Sequence, residues 1–172
     1  MSDNNNGREI KHVISVLVEN RPGVLARIAG LFARRGFNIN SLAVSATESS
    51  DISRMTIVTK GDEHHLMQVI KQLNKLVDVI HIFDHTHDDL IQREIALLKV
   101  RASVNNRSEI MQLATIFNAE IASISPADET MIIEVTGEEN HIDAFLETLE
   151  KFKILELVRT GRIALVRGGR VT

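Results

Sequence analysis

The chain has 172 residues, 44% of them apolar, which suits one large domain or two small ones. Lys plus Arg number 20 against 23 Asp plus Glu, and aromatic content is 3%, all Phe, so neither the basic footprint nor the stacking surface of a nucleic-acid binder is present. The absence of cysteine excludes disulfides and thiolate chemistry, no apolar run is long enough to span a bilayer, and the first nine residues hold no signal-peptide core, so a soluble cytoplasmic protein is expected.

Residues 1–9 are polar and Asn-rich and read as a disordered arm. Residues 10–18 read as a strand. Both alternating sets, Ile14, Val16, Val18 and Val13, Ser15, Leu17, are largely apolar, so both sheet faces are expected to be covered. After the loop Glu19-Asn20-Arg21-Pro22-Gly23, the residues Val24, Leu25, Ile28, Leu31 and Phe32 recur at helical spacing. Arg34 and Arg35 suit the end of that helix and Gly36 stops it. Residues 37–46 and 53–59 read as strands around a polar turn. Gly61-Asp62-Glu63 opens a second helix with the stripe Leu66, Val69, Ile70 and Leu73, and 77–83 is a fourth strand. The order β-α-β-β-α-β is the split βαβ, or ferredoxin-like, pattern.

Residues 85–92 are polar and read as a linker, after which the pattern returns. Strands are expected at 94–100, 119–125, 131–135 and 154–158, the last extended or paired by 162–166, with helices at 108–117 and 140–151. Gly61-Asp62-Glu63 matches Gly137-Glu138-Glu139 at an offset of 137 − 61 = 76. At that offset Leu66, Val69, Ile70 and Leu73 meet Ile142, Phe145, Leu146 and Leu149. The fold class is therefore α+β, two tandem ferredoxin-like units at 10–84 and 93–172. Units this small are expected to associate further.

The loop at 19–23 has chemistry to offer. Pro and Gly at a strand-to-helix junction leave backbone N–H groups aimed outward at the positive end of the helix dipole, which favours a small anion such as an amino-acid carboxylate. The competing reading is an ordinary turn. The second unit has Ala102-Ser103-Val104-Asn105-Asn106-Arg107 at the equivalent place and lacks the Pro-Gly corner, which favours a site in the first unit only.

Val16-Leu17-Val18-Glu19-Asn20-Arg21-Pro22-Gly23-Val24-Leu25-Ala26-Arg27, followed by Gly36-Phe37-Asn38-Ile39, resembles the start of an ACT domain. With Ser53-Arg54-Met55-Thr56-Ile57, Lys71-Gln72-Leu73-Asn74-Lys75-Leu76-Val77-Asp78-Val79, Arg93-Glu94-Ile95-Ala96-Leu97-Leu98-Lys99-Val100 and Asp143-Ala144-Phe145-Leu146, the chain from 10 to 170 resembles the family of acetolactate synthase (acetohydroxyacid synthase) small regulatory subunits. The resemblance implies a chain with no active site of its own. It implies a partner, the large catalytic subunit that uses thiamine diphosphate, Mg²⁺ and FAD, which the chain activates and makes sensitive to feedback inhibition by valine. It also implies a homodimer through the ACT domains with valine at the interface. Carried over by motif, the effector contacts fall on Asn20, Gly23 and Asn38, with Val24 and Leu25 adding backbone N–H groups.

The residue chemistry suits that assignment. Gly23 admits a carboxylate close to the backbone. Asn20 and Asn38 offer donors and acceptors without net charge, so either end of the amino acid could be bound. Val24 and Leu25 can line an aliphatic pocket. The structural alternatives are a helix cap for Asn20 and a turn for Asn38. His85 and His87 are weak metal candidates within a polar linker. An amino-acid sensor acting on a different partner is the alternative function.

Overall fold

The computed structural model describes residues 10–172; the expected arm at 1–9 lies outside the described residues. The chain divides into two compact units. One comprises the residues up to Ile91 together with Gly161–Thr172, and the other Gln92–Thr160. The segment 161–172, read from the sequence with the second unit, thus clusters with the first.

In the first unit, β1 (Ile10–Glu19), α1 (Val24–Arg35), β2 (Ser41–Ala46), β3 (Ile52–Gly61), α2 (Glu63–Leu73) and β4 (Val79–Asp84) follow the expected order. The sheet runs β2-β3-β1-β4, with antiparallel pairing throughout. Ile14, Val16, Val18, Met55 and Ile57 face the stripes Val24, Ile28, Leu31, Phe32 and Leu66, Val69, Leu73 of the two helices, which form the core. The other face of β1 is covered at Val13, which packs with Val58, Leu90 and Ala164.

Local chemistry sets the ends of these elements. Gly36 is left-handed at φ 68°, and the N–H of Phe37 reaches the Phe32 carbonyl at 2.9 Å, closing α1 as its glycine predicts. Asp62 caps α2 by accepting from the His65 N–H at 2.7 Å. Two boundaries differ from the sequence reading. β2 begins at Ser41, because residues 37–40 form a loop whose Phe37 and Ile39 plug the core. β4 begins at Val79, since Val77 sits 94% exposed in the preceding turn.

The second unit repeats the plan: β5 (Leu90–Arg101), α3 (Arg107–Ile116), β6 (Glu120–Ser125), β7 (Thr130–Gly137), α4 (Glu139–Leu149) and β8 (Ile154–Arg159), in sheet order β6-β7-β5-β8. β5 starts inside the stretch read as a linker. Residues 162–166 do not extend or pair the last strand: Ile163–Val166 form β9, which pairs with β5. The repeat reaches details beyond the apolar stripe. His65 lies over Gly61 and His141 over Gly137, each so close that a Cβ on the glycine would meet the imidazole.

Candidate functional site

The loop between β1 and α1 is framed by backbone and side chain together. The Glu19 N–H donates to the Asp78 carbonyl at 2.9 Å and the Asn20 N–H to the Asp51 carbonyl at 2.8 Å. Asn20 Nδ2 donates to the Ser50 carbonyl at 2.7 Å. A carbonyl can only accept, so this bond fixes the orientation of the amide and leaves Oδ1 facing out as an acceptor. Gly23 adopts φ 88°, a conformation that L side chains avoid, and this turns the chain into α1. No side chain caps α1, which leaves the Leu25 and Ala26 N–H groups to a ligand, while the Val24 N–H leans on the Arg21 carbonyl at 3.4 Å.

Arg27 stands in that first turn, where a cation opposes the helix dipole. Its position is explained by Asp78: Nε and Nη2 reach the two carboxylate oxygens at 2.7 and 2.8 Å. These bonds hold the buried Asp78 carboxyl below the usual carboxylate range and raise Arg27 in turn. The clamp ties α1 to the segment before β4 and sets the tilt of the loop. Sequence reasoning gave no role at this loop to Asp78, or to Ser50 and Asp51 of the polar turn before β3. For Asp78 a signal existed, an unexplained arginine at a helix N terminus; for Ser50 and Asp51, which act through their carbonyls, none did.

A cleft of about 450 Å³ opens beside the loop, lined by Glu19, Asn20, Arg21, Asp51, Ile52 and Ile80. That volume lies in the range of small-molecule sites. Two carboxylates and a guanidinium give it groups for both ends of a zwitterion, and two isoleucines give it an apolar wall. Arg21 and Glu19 also pair with each other at 3.1 Å.

The five expected effector residues fare differently. Asn20 and Gly23 share the loop. The Val24 side chain is 3% exposed and packed in the core, so it lines no pocket, and its N–H reaches the Arg21 carbonyl only at a long 3.4 Å. Leu25 is 45% exposed on the first turn of α1. Asn38 stands elsewhere. Its carbonyl accepts from Thr59 Oγ1 at 2.9 Å, at the far end of β3 from Asp51, and its side chain is exposed. Eight residues of strand separate Asp51 from Thr59, roughly 25 Å. One chain does not bring Asn20 and Asn38 together.

In the second unit the equivalent loop has no positive-φ glycine and is held by other contacts, although α3, like α1, has no side-chain cap. Ser103 Oγ donates to Asn106 Oδ1 at 3.2 Å and Arg107 Nη2 to the Ala102 carbonyl at 3.3 Å, while the Ala102 N–H reaches the Glu129 carbonyl at 2.7 Å. The metal candidates separate. His85 is buried, with Nδ1 on Asp88 Oδ2 at 2.9 Å and Nε2 on Ser15 Oγ at 3.0 Å, so neither ring nitrogen is left for a metal. His87 is exposed, and among the described residues no cluster of three or more His or carboxylate ligands forms around it. Among the described residues no helix is long and apolar enough to cross a membrane.

Comparison with known proteins gives matches along nearly the whole chain. Residues 14–81 match the model of the small-subunit-like ACT domain of acetohydroxyacid synthase, and residues 93–168 that of the small subunit of acetolactate synthase. The probable acetolactate synthase small subunit of Archaeoglobus fulgidus is 51% identical over 161 residues, covering 94% of this chain and 99% of that one. The acetolactate synthase small subunit of Mycobacterium bovis is 47% identical over 159 residues, covering 92% and 94%. The crystal structure of the Thermotoga maritima small subunit superposes with a TM-score of 0.86 at 39% identity, over 94% of this chain and 99% of that one.

Proposed function

The chain belongs to the family of acetolactate synthase small subunits, and from that premise we propose that it is the cytoplasmic regulatory partner of the thiamine-diphosphate-dependent catalytic subunit, which it activates and makes sensitive to valine. The catalytic chemistry, with thiamine diphosphate, Mg²⁺ and FAD, belongs to that larger subunit. This chain contributes a sensor.

The supporting observation is the division of the effector residues between the two ends of one sheet. A second copy resolves it. β2 is an edge strand whose later half, Val44 to Ala46, is exposed, and an exposed edge invites pairing. Two copies set antiparallel along that edge bring the Asn20 end of one toward the Asn38 end of the other. A valine there directs its carboxylate to the uncapped amides beside Gly23. Its ammonium meets Asn20 Oδ1, near Glu19 and Asp51, and its side chain lies against Ile52, Ile80 and the exposed Leu25. Asn38 of the second copy closes the site. The second unit, which lacks the Pro-Gly corner, is left for contact with the catalytic subunit.

An effector of about eight heavy atoms supports micromolar to millimolar affinity, suited to sensing a metabolite. It regulates only through its different affinity for two arrangements of the assembly, a coupling of about 1–3 kcal/mol. The test is acetolactate formation by the catalytic subunit alone and with this chain, each with and without valine. Activation by the chain and inhibition by valine only in its presence are expected. No change in rate on adding the chain would contradict the proposal and leave an amino-acid sensor with a different partner.

A further inference from the structure

The segment Gly161–Thr172 follows the second unit in sequence but clusters with the first. We propose that it is a strap that positions β2 and, through it, the loop carrying Asn38, so that effector binding depends on the C-terminal residues. The effector half of this statement rests on the function proposed above; the structural half does not.

The strap is held at three places. At its start, Gly161 lies against the backbone of β2. A Cβ there would overlap the Leu42 carbonyl group and come within 2.9 Å of the Ala43 nitrogen, so the close approach itself requires glycine. The next residue, Arg162, donates its N–H to Ser41 Oγ at 2.8 Å, joining positions 121 apart in the chain. Ser41 opens β2 and stands three residues after Asn38. In the middle, Ala164 is buried against Val13 of β1 and Val58 of β3. At the far end, Arg167 donates its N–H to the Asp89 carbonyl at 2.9 Å and its Nε to Asp89 Oδ2 at 3.0 Å, and Arg170 Nη1 reaches Asp88 Oδ1 at 2.9 Å. Asp88 is a firm post, because its other oxygen meets the buried His85, which in turn meets the buried Ser15 of β1.

The loop it steadies is anchored in the core by Phe37 and Ile39 but has few backbone holds. Between α1 and β2 the backbone is fastened by Phe37 N–H to the Phe32 carbonyl, Thr59 Oγ1 to the Asn38 carbonyl and Asn40 N–H to the Val58 carbonyl. β2 has a single strand neighbour, β3, and an edge strand is the part of a sheet that opens most readily. The strap adds contacts at Ser41 and Leu42, the first residues of that edge. Gly161 and Ser41 are therefore positioning residues for Asn38. The ion pairs at the far end are exposed and individually weak, so they can be cut without disturbing the core.

The experiment uses the full chain with Gly161→Ala, Ser41→Ala, Ser41→Thr and the double variant Arg167→Ala/Arg170→Ala. Three quantities are read: amide hydrogen exchange over 38–46 without effector, valine binding by calorimetry, and activation of the catalytic subunit. Gly161→Ala and Ser41→Ala are expected to speed exchange over 38–46 by roughly tenfold or more and to weaken valine by a similar factor. Ser41→Thr, which keeps the hydroxyl, behaves as wild type, and activation is unchanged in all. Exchange within about twofold of wild type in both Gly161→Ala and Ser41→Ala would overturn the strap. If Gly161→Ala fails to fold, the double variant decides in its place: faster exchange over 38–46 supports the strap and unchanged exchange overturns it. A wild-type chain that binds no valine would defeat the effector reading, and the exchange result would still decide the strap.

Discussion

Asn20→Ala separates the structural from the ligand-binding role of one side chain. Within the chain the substitution removes one exposed hydrogen bond, Nδ2 to the Ser50 carbonyl at 2.7 Å. Such a bond contributes about 0.5–1 kcal/mol. In a unit of this size that is a fall in Tm of no more than roughly 4–8 °C. The Asn20 N–H bond to the Asp51 carbonyl survives, so the turn keeps its main-chain hold. Toward the ligand the substitution removes Oδ1, the acceptor proposed for the ammonium. A hydrogen bond to a charged group contributes about 1.5–3 kcal/mol, which raises Kd roughly 10- to 100-fold. Calorimetric titration of the intact chain with valine measures the second quantity and a thermal melt the first. A Kd within about twofold of wild type, in a variant that melts normally, would refute the contact.

Three further outcomes are expected. Asp78 is held below its ordinary value of 3.8, so the unfolded state binds that proton more tightly. The stabilisation by Arg27 is therefore complete well above that value and is lost as pH falls through the lower folded value. Asp78→Asn destabilises at neutral pH, and its deficit in urea midpoint shrinks below about pH 4; a deficit constant down to pH 2 would contradict the clamp. Phe145, fully buried and packed on Phe117 at 5.0 Å, costs about 3–5 kcal/mol when cut to alanine, whereas Met67→Ala on the exposed face of α2 stays within about 0.5 kcal/mol in the same denaturation assay. EDTA leaves the melting midpoint unchanged, since both His85 nitrogens are already bonded; a lower midpoint would point to a bound metal.

Much of the architecture was readable because it rests on period and punctuation. The helical stripes and the Gly36 stop are local signals that reappear in the structure, apart from Leu25, which is exposed; Asp62, read only as part of the helix opening, supplies the cap of α2. The repeat was readable for the same reason, since equal spacing of apolar residues forces equal packing. Contacts between distant segments left no such signal. Residues 85–92 looked like a linker because they are polar, yet His85 is buried: its ring is satisfied by Ser15, 70 positions away, and by Asp88. Phe37 and Ile39 looked like the start of a strand, but they plug a core from a loop. Val24 looked like a pocket wall because it neighbours Gly23, but helical geometry turns it inward. The C-terminal segment looked like a continuation of the second unit, because nothing local in Gly161 announces the Leu42 backbone it touches.

The proposed effector site is made from two copies, with Asn20 from one and Asn38 from the other. Chains carrying Asn20→Ala and chains carrying Asn38→Ala each lose valine binding when pure. Mixed in equal amounts and allowed to exchange subunits, they form heterodimers in which one site carries both defects and the other carries none. Valine titration of the mixture is expected to recover about a quarter of the wild-type sites at wild-type affinity. No recovery, with exchange of subunits demonstrated, would show that both residues serve a site within a single chain, and a pure variant that binds valine as wild type would show that its residue serves no site.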